Sequence, residues 1–414
     1  MRNVVWLVLL FAVAVVAALT LGDNTGMASF YWGGWRVDLS LNFFILAALA
    51  TGFALMTAVQ AVNALIGLPK RAREWRMLRL ERAAQAALRD AQAEFFAGRY
   101  GRAHKAAQRA IAIQEDRHDP GEDQDFRTLA LLLAAASLHR LQDRGRRDAL
   151  LRQALQRGRR GSGQVVDEGV RLLAAEWALD DRDGPRALAL LAELPPGVAR
   201  RTQALRLKLQ AARMERRPMD ALHTARLLAN HQAFSATAAQ GLLRSLAIEA
   251  LESAHDADQL RRAWQQFDAA DQRDPFVAAR AARRAAQLLA AEDGRAWLRP
   301  LWERLETLGA DGRAEVALAL VDAAAGLGPD WLARVEAAQR AWPTEPAVQA
   351  AAGAVLAECR LWGKARRPLE LAARDPLLQP RARRLAWRAL ARLAEAEGDD
   401  ARALDCLRQA AEQD

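Results

Sequence analysis

Two uncharged apolar runs, Val4–Leu21 and Leu41–Leu68, open a chain of 414 residues, and no third follows. The first run is 18 residues, near the lower limit for a membrane-crossing helix, and the second exceeds what crossing requires. Between them Gly22–Ser40 carries only Asp23, Arg36 and Asp38. Directly after the second run come Lys70, Arg71, Arg73, Arg76, Arg79 and Arg82, against Glu74 and Glu81. Positive residues beside short loops stay in the cytoplasm, so the pattern predicts a hairpin that enters and returns with both termini inside. Phe30, Tyr31, Trp32 and Trp35 then fall at the outer aromatic belt. The first run also reads as a cleaved signal peptide, although its apolar core exceeds the usual length of about 7–15 residues. In that case Leu41–Leu68 still delivers the basic flank to the cytoplasm.

Beyond the membrane part the pattern changes. Ala, Leu, Arg, Gln and Glu dominate, Val and Ile are sparse, and Gly and Pro punctuate helices of roughly 12–16 residues. Trp387-x-x-Leu390-Ala391-x-x-Ala394 precedes Gly398-Asp399-Asp400-x-x-Ala403-x-x-x-Leu407-x-x-Ala410. That is the tetratricopeptide order of helix, glycine turn and helix, with small residues at the helix crossing. Ala103, Ala107 and Ala110 after Gly98-Arg99-Tyr100 repeat its second half. The equivalents of Ala103 are expected near Ala149, Ala187, Ala221, Ala263, Ala296, Ala333, Pro368 and Ala403. A larger side chain at such a position would hold the two helices apart. The predicted fold is all-α: a two-helix transmembrane hairpin over 1–69 (helices about 4–21 and 41–68, loop 22–40), a basic segment over 70–82, and a tetratricopeptide-like α-solenoid over 83–414.

Charge refines this picture. Of the net charge of +9, +4 falls within 70–82, where six positive residues face two negative ones. Such a cluster attracts anionic lipid headgroups by about 1 kcal/mol per positive residue. No basic stripe with interleaved aromatics points to nucleic acid. Cys359 and Cys406 lack metal or redox spacing, and the six histidines show no metal-pair spacing. Gly161-Ser162-Gly163 follows no strand and reads as a flexible loop. With no nucleophile motif, Walker A or HExxH, the chain reads as non-catalytic, with no metal and no cofactor. Small residues Ala47, Ala48, Thr51, Gly52 and Ala54 in the second run permit close packing on the first run or on another membrane protein.

Four segments resemble the HemY family of proteobacterial inner-membrane proteins: Arg36-Val-Asp-Leu-Ser-Leu-Asn42, Leu68-Pro-Lys-Arg-Ala-Arg-Glu-Trp75, Gly98-Arg-Tyr-Gly-Arg-Ala103, and Arg360-Leu361-Trp362-Gly363-Lys364-Ala365-Arg366. The resemblance runs almost end to end, departing in a shorter tail after the last repeat and an Ala/Arg-rich middle. It implies an inner-membrane, multi-pass protein with cytoplasmic repeats, acting as a scaffold for enzymes of late haem (protoporphyrin) biosynthesis. It does not imply the similarly named flavin-dependent protoporphyrinogen oxidase, whose glycine-rich dinucleotide motif is missing here. A repeat adaptor for envelope assembly and a porphyrin or haem carrier remain as alternatives.

Overall fold

The computed structural model describes residues 25–116, 124–158 and 164–413. The run Val4–Leu21, and with it the first helix of the expected hairpin, lies outside the described residues. So do His118, the Gly161-Ser162-Gly163 stretch and the side chains of Lys70 and Arg71. The chain divides after Leu150 into two compact units.

The first unit corrects the reading of 22–40 as a plain loop. Met27–Trp32 (β1) and Trp35–Ser40 (β2) pair antiparallel, in register from Met27↔Ser40 to Trp32↔Trp35. The Gly33-Gly34 turn has φ of 56° and 90°, the positive values that match the twist of a tight hairpin. Ser40 then caps helix α1 (Leu41–Phe96), its hydroxyl accepting from the Phe43 N–H at 3.3 Å.

A second correction concerns the far end of α1. The helix does not stop at Leu68; it runs 56 residues without a break through the basic segment. Apart from Pro69, residues 68–97 are largely helix formers, and the chain turns only at Gly98, with φ of 74°. Ala84, Ala87 and Ala91 of α1 are buried, as are Ala103, Ala107 and Ala110 of α2 (Tyr100–Glu115). Ala134 of α3 (Gln124–Arg140) joins Ala91 and Ala107 in one core, against which Leu150 of α4 (Arg144–Gly158) packs.

The second unit is a stack of helix pairs. In order come α5 (Gln164–Asp180), α6 (Gly184–Ala192), the short α7 (Pro196–Ala199), α8 (Thr202–Met214), α9 (Pro218–Asn230), α10 (Ala236–Glu252), α11 (Ala257–Gln265) and the short α12 (Ala269–Gln272). They are followed by α13 (Pro275–Gln287), α14 (Ala291–Trp302), α15 (Ala310–Asp322), α16 (Leu332–Ala341), α17 (Pro346–Glu358), α18 (Trp362–Arg374), α19 (Pro380–Glu397) and α20 (Asp400–Ala411). In α13–α20 each first helix packs on the first helix of the next pair; α13, α17 and α19 also pack on their own partners, whereas α16 packs on α17.

One turn recurs inside many of these pairs. A residue at positive φ follows the first helix: Gly98, Gln142, Arg182, Arg216, Leu289, Arg360 and Gly398. The next N–H reaches back to a carbonyl five residues earlier, as in Asp183 to Ala178 at 2.8 Å and Leu361 to Leu356 at 2.9 Å. This closes the helix end. Only the two glycines were legible as turn signals. Asp143, Asp183 and Asp399 then cap the second helix by accepting from the backbone N–H three residues on.

The crossing register is corrected in five places. The fourth residue of the second helix is buried in every pair, and it is Ala103, Arg147, Ala187, Ala221, Leu260, Gly294, Val335, Ala365 and Ala403. The expected Ala149, Ala263, Ala296, Ala333 and Pro368 are therefore displaced by two or three residues. The helix starts fix the register, and the connecting segments vary in length. Arg147 is tolerated because it donates to His139 Nδ1 at 3.1 Å and to Asp148 at 2.8 Å.

Backbones approach most closely where glycine sits. A Cβ on Gly294 would stand 2.9 Å from the Ala282 carbonyl oxygen, and one on Gly353 would meet Leu369 at 2.6 Å. Gly294→Ala should therefore destabilise the protein by about 1–3 kcal/mol through overpacking. Gly169→Ala, in open space inside α5, should raise stability by about 0.5–1 kcal/mol. Denaturant unfolding reads both, and shifts in the same direction would contradict the α13–α14 crossing.

Candidate functional site

First helices α13, α15, α17 and α19 line a cleft of about 380 Å³. Alanine makes it possible. Ala325, Ala350, Ala354, Ala386 and Ala389 form much of its lining, and longer side chains there would fill it. Around them stand Arg283, Gln287, Asp322, Glu358, Arg381 and Arg392.

Asp322 is the electrostatic centre. Its side chain is 9% exposed and faces Arg381 at 2.8 Å and Arg283 at 3.4 Å. Arg283 also holds Glu315 at 2.7 Å, and Arg392 holds Glu358 at 3.2 Å. Arg381 and Arg392 keep half or more of their side chains in solvent. Burial pushes the Asp322 carboxyl above its ordinary value, against the pull of Arg381 and Arg283. The lining holds no histidine, cysteine or serine. What it offers is guanidinium hydrogen bonds over a small-residue floor, a chemistry for holding a carboxylate-bearing or extended chain.

The sequence-chosen residues fall elsewhere. Arg73, Arg76, Arg79 and Arg82 are exposed along α1, with the Arg79 guanidinium 5.4 Å from the Trp75 ring. Ala103, Ala107, Ala110, Leu390, Ala391, Ala403 and Ala410 are buried at helix contacts, and Trp387 is partly buried against the core. Leu407 is corrected: it is 45% exposed, and Cys406 takes the inward place between Ala403 and Ala410. Leu407 sits at the edge of the apolar stripe, partly in solvent.

The segment Leu361–Arg366 stitches repeats together. Leu361 and Gly363 lie at the surface, Trp362 packs on the core, and Ala365 is fully buried. Lys364 Nζ meets Glu336 at 2.9 Å and Arg366 pairs with Glu397. Burial raises the thiols of Cys359 and Cys406, which disfavours reactive thiolates.

Sequence reasoning missed the cleft, because its charged members come from four separate helices. A signal did exist in the spacing of arginine and acid by about one repeat. Arg313–Glu345, Arg244–Asp274 and Arg402–Glu370 pair at 2.6–2.7 Å, each across neighbouring pairs.

The stacked pairs, their recurrent turn and this cleft define a tetratricopeptide-like helical-repeat protein. Residues 26–142 match the family described as HemY protein N-terminus. No curated protein matches it. Among solved structures it is similar to a chain of the "Crystal structure of APC/C hetero-tetramer Cut9-Hcn1", with 15% identity over 81% of this chain and 67% of that one and a TM-score of 0.28.

Because Asp322 is held above its ordinary value, its contribution is fully present below the ordinary carboxylate range and is lost as pH rises through the raised value. Asp322→Asn should match wild type below about pH 4, where both side chains are neutral. Above that its melting temperature should gain on wild type. A variant that falls behind as pH rises would mean the arginine pairs outweigh burial.

Proposed function

We propose that this protein is a membrane-anchored, non-catalytic scaffold that gathers enzymes of late haem biosynthesis through its repeats. One observation carries the anchoring. Leu41–Val62 is the one segment among the described residues long and apolar enough to cross a membrane, and the same unbroken helix reaches Phe96 in the first repeat. The span and the first repeat thus share one continuous helix rather than being joined by a linker. Confinement at the membrane raises the effective concentration of a multi-partner surface for enzymes working there.

In this reading the protein is multi-pass in a bacterial inner membrane, with both termini and the repeats cytoplasmic. Lys70, Arg71, Arg73, Arg76, Arg79 and Arg82 rest on anionic headgroups, and the Asp322–Arg381 cleft takes a protein segment. The family resemblance supplies the pathway, and the chemistry of the cleft supports binding over catalysis.

A photo-crosslinking residue at Leu385 of the full-length protein in native membranes tests this. It should capture late porphyrin-pathway enzymes, and Arg381→Glu should reduce the yield several-fold. Capture of envelope-assembly proteins, without porphyrin accumulation on deletion, would select an adaptor instead. A Soret band on the purified protein would select a carrier. A reporter active only in the periplasm, fused after Asp414, should be silent; activity there would reverse the topology.

A further inference from the structure

The hairpin Met27–Ser40 has two chemically opposite faces. Its register puts Ala28 beside Leu39, Phe30 beside Val37 and Trp32 beside Trp35, so one face is wholly apolar. The other carries Ser29 with Asp38 and Tyr31 with Arg36. That polar face is closed on itself. Ser29 Oγ donates to Asp38 at 2.5 Å, Arg36 Nε donates to the same carboxylate at 2.9 Å, and the Arg36 guanidinium lies 5.8 Å from the Tyr31 ring.

The apolar face is open. Trp32 is 88% exposed, Trp35 80%, Val37 50% and Phe30 45%. A two-stranded hairpin is marginal in water by itself, so a face of this kind needs a cover. The cover is indicated by what adjoins it. The Leu41 N–H bonds the Gly26 carbonyl at 3.0 Å, fixing the hairpin to the start of α1. Phe30 lies 5.1 Å from the Phe44 ring, so the apolar face continues onto the span Leu41–Val62, whose own side chains are unburied.

We propose that the hairpin is an interfacial plate. Its Ala28, Phe30, Trp32, Trp35, Val37 and Leu39 face lies on lipid at the headgroup–acyl boundary, and its Ser29, Tyr31, Arg36 and Asp38 face is turned to water. Three features favour lipid as the occupant. The face bears no charge, its two tryptophans suit the bilayer interface, and it is continuous with the membrane-crossing surface. The plate would set the depth and rotation of α1, and through α1 the orientation of the first repeat. The four aromatics then divide, with Tyr31 facing away from the lipid. This inference rests on Leu41–Val62 crossing the bilayer.

The test uses the full-length protein in nanodiscs of phosphatidylethanolamine and phosphatidylglycerol, in a Cys359→Ser/Cys406→Ser background. Nitroxide labels at Val37→Cys, Tyr31→Cys and Phe53→Cys report collision with oxygen and with a water-soluble nickel chelate. The Val37 label should meet oxygen freely and the nickel chelate several-fold less than the Tyr31 label does. Equal nickel access at Val37 and Tyr31 would overturn the plate, and so would a Val37 label shielded from both reagents, which would mean a protein cover such as the first apolar run. Nickel access at Phe53 would instead overturn the membrane span itself. In the chain without labels, lipids brominated near the headgroup should quench tryptophan fluorescence, and Trp32→Tyr/Trp35→Tyr should remove part of that quenching. Unchanged quenching would count against the proposal.

Discussion

The close crossing between paired helices, as at α13–α14, α17–α18 and α19–α20, is the constraint from which the rest of the fold follows. Where Ala103, Ala187, Ala221, Ala365 and Ala403 stand, the side chains are almost or fully buried and no more than a methyl separates the backbones. At Gly294 even a methyl has no room. Short separation lets dispersion contacts accumulate along the seam. In most pairs the chain also reverses within three residues, which is why non-glycine residues such as Arg182 and Arg216 accept positive φ. Forcing an L-residue into that region costs about 1–2 kcal/mol, offset by the hydrogen bonds that close the helix end.

Small crossing residues leave a further consequence. Alanine buries little apolar area, and larger core residues such as Leu251, Leu298, Leu320 and Leu356 together with ion pairs at the rim add to the contact between pairs. Arginines reach across repeats to acids, as Arg313 does to Glu345 and Arg283 to Glu315. Such pairs are individually modest when exposed, but each ties one repeat to the next. The cleft around Asp322 is a place where this ladder turns inward, and the same alanine economy leaves space beside it. Stability of the stack and openness of the cleft thus share one cause.

At the other end of the chain, α1 runs continuously from the apolar segment Leu41–Val62 into the first repeat. Its apolar half has unburied side chains, while Ala84, Ala87 and Ala91 bury theirs against α2 and α3. A single helix therefore changes surroundings along its length, from unburied apolar side chains to side chains packed on protein, with Arg73, Arg76, Arg79 and Arg82 between them. Any constraint on the rotation of the span is transmitted to the first repeat.

The helical class, the repeat character, the apolar span and its basic flank were determined locally, because helix propensity, run length and charge order depend on neighbours in sequence. Ala187, Ala221 and Ala403 could be placed at crossings for the same reason. The amphipathic hairpin was also written in the chain, as alternation from Ala28 to Leu39 around Gly33-Gly34, but two flanking apolar runs made those residues read as a loop. Other features were decided only by tertiary structure. Val335 rather than Ala333, and Ala365 rather than Pro368, take the buried fourth place of their helices because connecting segments of different length reset the register without leaving a mark on composition. Arg283, Asp322 and Arg381 form one cleft although they come from three helices. Their proximity depends on how far each pair is displaced along the stack, and that displacement is set by packing between helices, which no short stretch of sequence contains.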